Sequence, residues 1–504
     1  MAGVCRRAAL VGARKAAGYT QEGLAAALDI DRSTVIRWEA GDHAPLPYLR
    51  PKLARLLSVS PEQLRELIGG EADSRTHPEG VSVDVEMAFD WLDRHARWSP
   101  GTSRRKAMSQ LVARDERVLH ERNGRRAKAG RSEVAHALSG YYGDRYDQGL
   151  GTYSVRYDGR DVATSIVTRS EWLDSACPLT PAHDRLMLAR LSPDYPMEVD
   201  DLAAKHAIRR LVEAIAVDVR LVDAPIYRLL SIDVNRGSID GEVGLASFVE
   251  YALTMDLLEG ELLDAIARDV TPRPGALPLR DRYLPDSSFV FDMSSRLCAG
   301  GVVALCAIAR PADPYRGGAD YVLLIQERSG QVLNAAGQLA VIPKGFHEPL
   351  ADYRADARVG ATLRREMEEE LFGRSDIDST ISRHIAVAPM HPSRLSKPML
   401  WLSENPDAMI MECTGFGLNL VSGNYEFGAL VVIDDEEFWH RYGGHIEANW
   451  ECAGLRLYSS LDRELLTELI ADERWNNEGL FSLLQGLRRL EELGGKRVNS
   501  PAIE

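Results

Sequence analysis

The segment Thr20 to Gly41, TQEGLAAALDIDRSTVIRWEAG, constrains the fold of this chain most. It reads as two short helices joined by a tight turn and crossing at a steep angle. That geometry needs a small residue where the helices touch and apolar residues behind it. Counting from Gln21, the fourth and fifth residues are Leu24 and Ala25, and the eighth is Leu28. The turn falls at Asp29, followed by apolar Ile30. Val35 and Trp38 are three apart on the second helix, so both are expected to face inward. Thr20 and Asp31 are good N-caps for the two helices, and Gly41 suits a helix end.

Arg32, Ser33, Thr34 and Arg37 then remain outward on the second helix. Arginine bonds guanine bidentately, while Ser and Thr serve bases or phosphates. Gln21 sits at the N-terminus of the first helix, where phosphate contacts are common. The segment resembles the phage-repressor-like (XRE) helix-turn-helix family, whose unit has five helices. Helices are expected at about residues 6–17, 46–57 and 61–68, so the resemblance covers roughly the first 70 residues. The family usually has glycine at the position of Asp29, and Asp tolerates a left-handed turn better than most residues. The resemblance implies a sequence-specific regulator that binds double-stranded DNA as a homodimer on a palindromic operator.

A net charge of −15 looks wrong for a DNA binder until it is divided along the chain. Residues 1–131 carry 23 Lys+Arg against 17 Asp+Glu, and the remainder carries 37 against 58. The basic end holds the two-helix segment, and phosphate would repel the acidic remainder. The length of 504 residues predicts two to four domains. There is no apolar run of membrane-spanning length and no long apolar core near the N-terminus, so neither a membrane span nor a leader is expected. The six cysteines form no CxxC pair and read as buried, reduced thiols of a cytoplasmic protein.

Four domains are expected. Residues 1–70 form the all-α DNA-binding bundle. Residues 71–148 begin with a polar linker, EADSRTHPEG, and continue as a basic helical region. Ser103 to Arg131 holds ten basic and three acidic residues, which fits either an extended DNA footprint or a solvated helical face. Residues 149–286 read as a mainly helical middle region, suited either to dimerisation or to covering a ligand, with a hairpin at TYSVRYDGRDVATSIVTR. His183 and His206 are isolated there and read as structural.

Residues 287–495 change texture to strands, GGVVALCAIAR and DYVLLIQER, succeeded by the loop IPKG and the helix GATLRREMEEELFGR. Glu366, Glu369 and Glu370 stand at i, i+3 and i+4, so they share one helix face. Three carboxylates on one face repel unless a cation neutralises them, and Mg²⁺, which takes oxygen ligands, is the natural candidate. REMEEELFG and IPKG resemble the Nudix family, whose box is G-x5-E-x7-R-E-U-x-E-E-x-G-U. The resemblance implies an α/β/α sandwich around a mixed sheet, with Glu366, Glu369 and Glu370 as metal ligands and catalytic residues. The chain departs from the box in three places. Gly345 and Arg365 lie 20 apart, Ala357 stands where a glutamate is expected beside Asp356, and Gly373 is displaced by one. The domain therefore has three readings. It senses a nucleotide-type or phosphate-containing ligand, it is a Mg²⁺-dependent pyrophosphohydrolase tethered to DNA, or it binds a protein partner.

Overall fold

The computed structural model describes residues 7–17, 19–28, 32–40, 45, 49–57, 59, 63–64, 67, 83–113, 122, 124–126, 128–143, 146, 149–189, 195, 199–216, 221–328, 337–373, 389–443 and 452–504. The chain divides into two compact units, Met1–Val83 and Asp84–Glu504.

The first unit contains helices α1 (Ala8–Ala16), α2 (Gln21–Leu28), α3 (Arg32–Ala40) and α4 (Leu49–Leu57). The side chain of Thr20 caps α2 as its sequence suggests, accepting a 2.9 Å bond from the Gly23 N–H. Leu24, Ala25, Leu28, Val35 and Trp38 are all buried and share one core with Leu10, Leu53, Leu57 and Leu64. Asp29, Asp31, Gly41 and most of the helix expected at 61–68 lie outside the described residues.

Among the described residues of the second unit, helices of eight residues or more are α5 (Val83–His95), α6 (Thr102–Ala113), α7 (Arg131–Tyr142), α8 (Asp201–Ala216), α9 (Leu257–Ile266), α10 (Val359–Glu366), α11 (Lys397–Glu404), α12 (Arg463–Ala471) and α13 (Asn477–Gly494). The strands are β1 (Gly151–Tyr157), β2 (Arg160–Thr168), β3 (Leu173–Pro178), β4 (Asp184–Leu188), β5 (Pro225–Asn235), β6 (Ser238–Ser247), β7 (Gly300–Arg310), β8 (Asp320–Arg328), β9 (Leu339–Val341), β10 (Lys344–Phe346), β11 (Met409–Asn419), β12 (Tyr425–Ile433) and β13 (Cys452–Ser459).

One large mixed sheet runs in the order β1-β2-β11-β12-β7-β8-β13, with β3, β9 and β10 paired to β11, β8 and β7. The β12–β7 pair is parallel, and the other steps along this path are antiparallel. A smaller sheet has the order β4-β6-β5. Strand alternation sends Val303, Leu305, Ala307 and Ala309 of β7 into one core with Leu480, Phe481, Leu484 and Leu487 of α13. Val302, Ala304, Cys306 and Ile308 point the other way and are equally buried, so β7 is covered on both faces. This is why β7 is apolar from Gly300 to Ala309.

The expectation of a mainly helical middle is corrected here. Residues 149–286 supply β1 to β6 as well as α8 and α9. The expected β1–β2 hairpin is present, with Asp158 and Gly159 both at positive φ in its two-residue turn. Nor is the region separate from residues 287–495. β2 and β3 pair with β11, so one sheet spans the boundary placed at 286.

Candidate nucleic-acid interface and carboxylate cluster

On α3, Val35, Trp38 and Glu39 face inward, while Arg32 and Ile36 are exposed. Ser33, Thr34 and Arg37 occupy α3, but their side chains lie outside the described residues. The core packing of α2 and α3 therefore holds the second helix with Arg32, its first residue, facing solvent.

Glu39 carries no signal in the sequence, yet it organises this unit. It is 3% exposed, and its carboxylate accepts 2.6 Å bonds from Arg14 Nε of α1 and Gln21 Nε2 of α2. Its carbonyl accepts from the Arg7 N–H, and Arg7 also donates to the Trp38 carbonyl. One buried, paired charge thus ties three helices together. The Gln21 amide, expected at a phosphate, is directed to Glu39. No local pattern marks this, because a single Glu near a helix end reads as surface.

In the second unit, the acidic run changes helix type along its length. α10 ends at Glu366, and Met367–Leu371 continues as a π-helix. Such bulges frequently occur at functional sites. Glu366 lies against Gly345, where an added Cβ would fall 2.0 Å from the Glu366 carboxyl. Only glycine lets the IPKG loop approach so closely. Arg365, 3% exposed, donates to Glu366 at 2.8 Å and pairs with Glu348 at 3.0 Å. Glu370 accepts from the Lys344 N–H at 2.6 Å, and Glu368 accepts from both the N–H and the hydroxyl of Ser396.

Burial drives the Glu366 carboxyl well above its usual range, and Glu369 and Glu370 push the same way against the pull of Arg365. Burial works against the charge on Arg365, but Glu366, Glu348 and Glu369 raise its affinity for the proton. The three predicted carboxylates are thus brought together. Arg365 offsets the repulsion between Glu366 and Glu369. Among the described residues, no group of three or more His, Cys, Asp or Glu is arranged to hold a metal ion. Asp356, beside the missing box glutamate, has a different task. Its Oδ2 accepts from the N–H groups of Leu350, Ala351 and Asp352 at 2.8–2.9 Å and closes the loop before α10.

A second group surrounds Lys344. Its ammonium donates to Glu478 at 2.7 Å, and Asn419 donates to the other Glu478 oxygen at 3.2 Å. Burial and Glu478 push Glu426 up to about 8, against Lys344 and Asn419. Burial, Asp256 and Glu478 push Glu259 up to about 7, against Arg210 and Lys344. Burial opposes ionisation of Glu478 too, yet Lys344 lowers its pKa. These glutamates come from β12, α9 and the first turn of α13. Such separations leave no signal in the sequence.

Residues 12–64 match the family model described as Helix-turn-helix. No curated protein matches the chain. The helix-turn-helix match spans α2 and α3 and agrees with the XRE-type reading of the N-terminal unit. Helix-turn-helix units lay their second helix in the major groove and contact base edges from its N-terminal residues. In this helix-turn-helix, Arg32 holds that position.

The basic segment Ser103 to Arg131 is a different case, because several of its charges are used inside the second unit. Arg122 bonds Glu213 and Asp264, and Arg126 bonds Asp264. Arg131 pairs with Glu473 and donates to the Ala163 carbonyl, Arg104 faces Glu86 at 3.4 Å, and Lys106 sits 3.6 Å over the Trp98 ring. Arg122, Arg126 and Arg131 are thus committed to carboxylates inside the unit, whereas Arg104 is partly exposed and Lys106 exposed. Among the described residues, no helix is long and apolar enough to cross a membrane.

Proposed function

We propose that the protein is a sequence-specific DNA-binding transcriptional regulator that acts on its operator as a homodimer. The observation that carries this reading is the helix-turn-helix match over a packed α2–α3 pair with Arg32 exposed at the start of α3. The test is binding of the full chain to a random duplex library. Arg32→Ala with Arg37→Ala should abolish sequence-preferring binding, since each bidentate arginine contributes about 1–3 kcal/mol of discrimination. Undiminished binding by the double variant would sink the proposal.

In this reading the acidic second unit is the input, and it senses a nucleotide-type or phosphate-containing small molecule. The support is the REMEEELFG and IPKG resemblance, together with the meeting of Glu366 and Glu370 at Lys344–Gly345. A ligand shifts the population of DNA-competent dimers only if it binds the two states unequally. Thermal stabilisation by dinucleotides or nucleotide sugars, without turnover, supports the sensor. Turnover that needs Mg²⁺ and disappears in Glu369→Gln with Glu370→Gln would replace the sensor with a hydrolase. Neither effect would leave a protein partner as the input.

A further inference from the structure

We propose that Ile36 reads a thymine of the operator through its 5-methyl group, an inference that rests on the DNA-binding proposal. Ile36 is 41% exposed on α3, whereas its neighbour Val35 is 1% exposed and packs in the core. One turn earlier stand Arg32, which is exposed, and the position of Ser33, so Ile36 shares the helix face that carries them. Isolated apolar side chains are ordinary on protein surfaces. This one stands on the helix placed in the major groove, among polar positions. The major groove offers one apolar feature for such a side chain, the thymine methyl, which apolar contact distinguishes from the other bases. Polarity alone does not point to Ile36, because it selects only hydrogen-bonding side chains.

A hydrogen bond from Arg32 or Arg37 to the O4 carbonyl could not tell thymine from uracil, because both bases carry that acceptor and differ only in the methyl. Specificity for thymine then depends on a methyl that uracil lacks, while the Watson–Crick pairing stays the same. The experiment uses the full chain and a duplex selected by it from a random library. Each thymine is replaced singly by uracil, and binding is measured for the wild type, Ile36→Ala and Ile36→Val. At one thymine position the wild type should weaken about three- to ten-fold on uracil, as expected for one buried methyl. Ile36→Ala should bind thymine and uracil there equally, and Ile36→Val should fall between. Equal uracil losses in wild type and Ile36→Ala at every position, or no loss anywhere, would overturn the proposal while leaving DNA binding intact. Failure to select any duplex would overturn the DNA-binding proposal itself, and this inference with it.

Discussion

Glu39 holds three helices with one carboxylate. Its partner Arg14 is equally shielded, with side-chain exposures of 7% and 4%. Breaking a buried pair by removing one partner strands the other charge, which costs about 3–5 kcal/mol. Glu39→Ala should therefore raise amide exchange across α1 to α3 by about a hundredfold or more. Exchange in the large sheet should not change. Glu39→Gln keeps the acceptor and should lose less. This residue also marks the limit of what the sequence makes legible. Leu24, Ala25, Leu28, Val35 and Trp38 are legible because apolar spacing repeats. Glu39 is not, because its partners Arg14 and Gln21 stand 25 and 18 residues away.

Helix α10 depends on a contact from another strand. Asp184 at the start of β4 is fully buried, and its Oδ2 accepts from the Gly360 N–H at 2.9 Å, in the first turn of α10. Burial pushes its pKa up to about 6, despite the N–H groups that favour the charge. A folded-state pKa above the unfolded one means that the associated stability is full below about pH 4 and is lost as pH rises through about 6. Asp184→Asn keeps an acceptor and removes the titration. Its free energy of unfolding relative to wild type, measured by denaturant titration, should rise across that window by up to about 1.4 kcal/mol per pH unit and stay level on either side. A difference independent of pH would show that Asp184 acts without titrating. At this scale the sequence is partly readable. The β1–β2 hairpin announces itself through Asp158–Gly159, and β7 through its unbroken apolar run. The β5–β6 hairpin is not legible although Gly237 takes positive φ in its turn, since Asn235–Arg236–Gly237 lacks the commonest turn pair.

For the whole molecule, the boundary that matters is the one near residue 83, and the expected boundary at 286 does not divide the second unit. A fragment of residues 84–504 should fold and show cooperative unfolding without binding DNA. A fragment of residues 287–504 lacks the strands that cover β11 and should aggregate or stay unfolded, because its sheet would end in an unpaired edge. Circular dichroism and size-exclusion chromatography of the two fragments decide this. A soluble, folded 287–504 fragment would count against it. The sequence could not reveal the merger. Pairing between β2 and β11 joins residues about 250 positions apart, and no local signal reports a partner that distant.

The last strand contact of the large sheet is made by the chain's final residues. Ile503 bridges Tyr157, and Glu504 exchanges two main-chain bonds with Arg156. On the ribosome these two ends of one sheet emerge far apart in time. At about 5–20 residues per second, the roughly 350 residues between them take on the order of 20–70 seconds to synthesise. The helix-turn-helix is complete long before. The core of α1 to α4 joins residues no more than about 55 positions apart, so the first unit can close while the second still lacks this bridge.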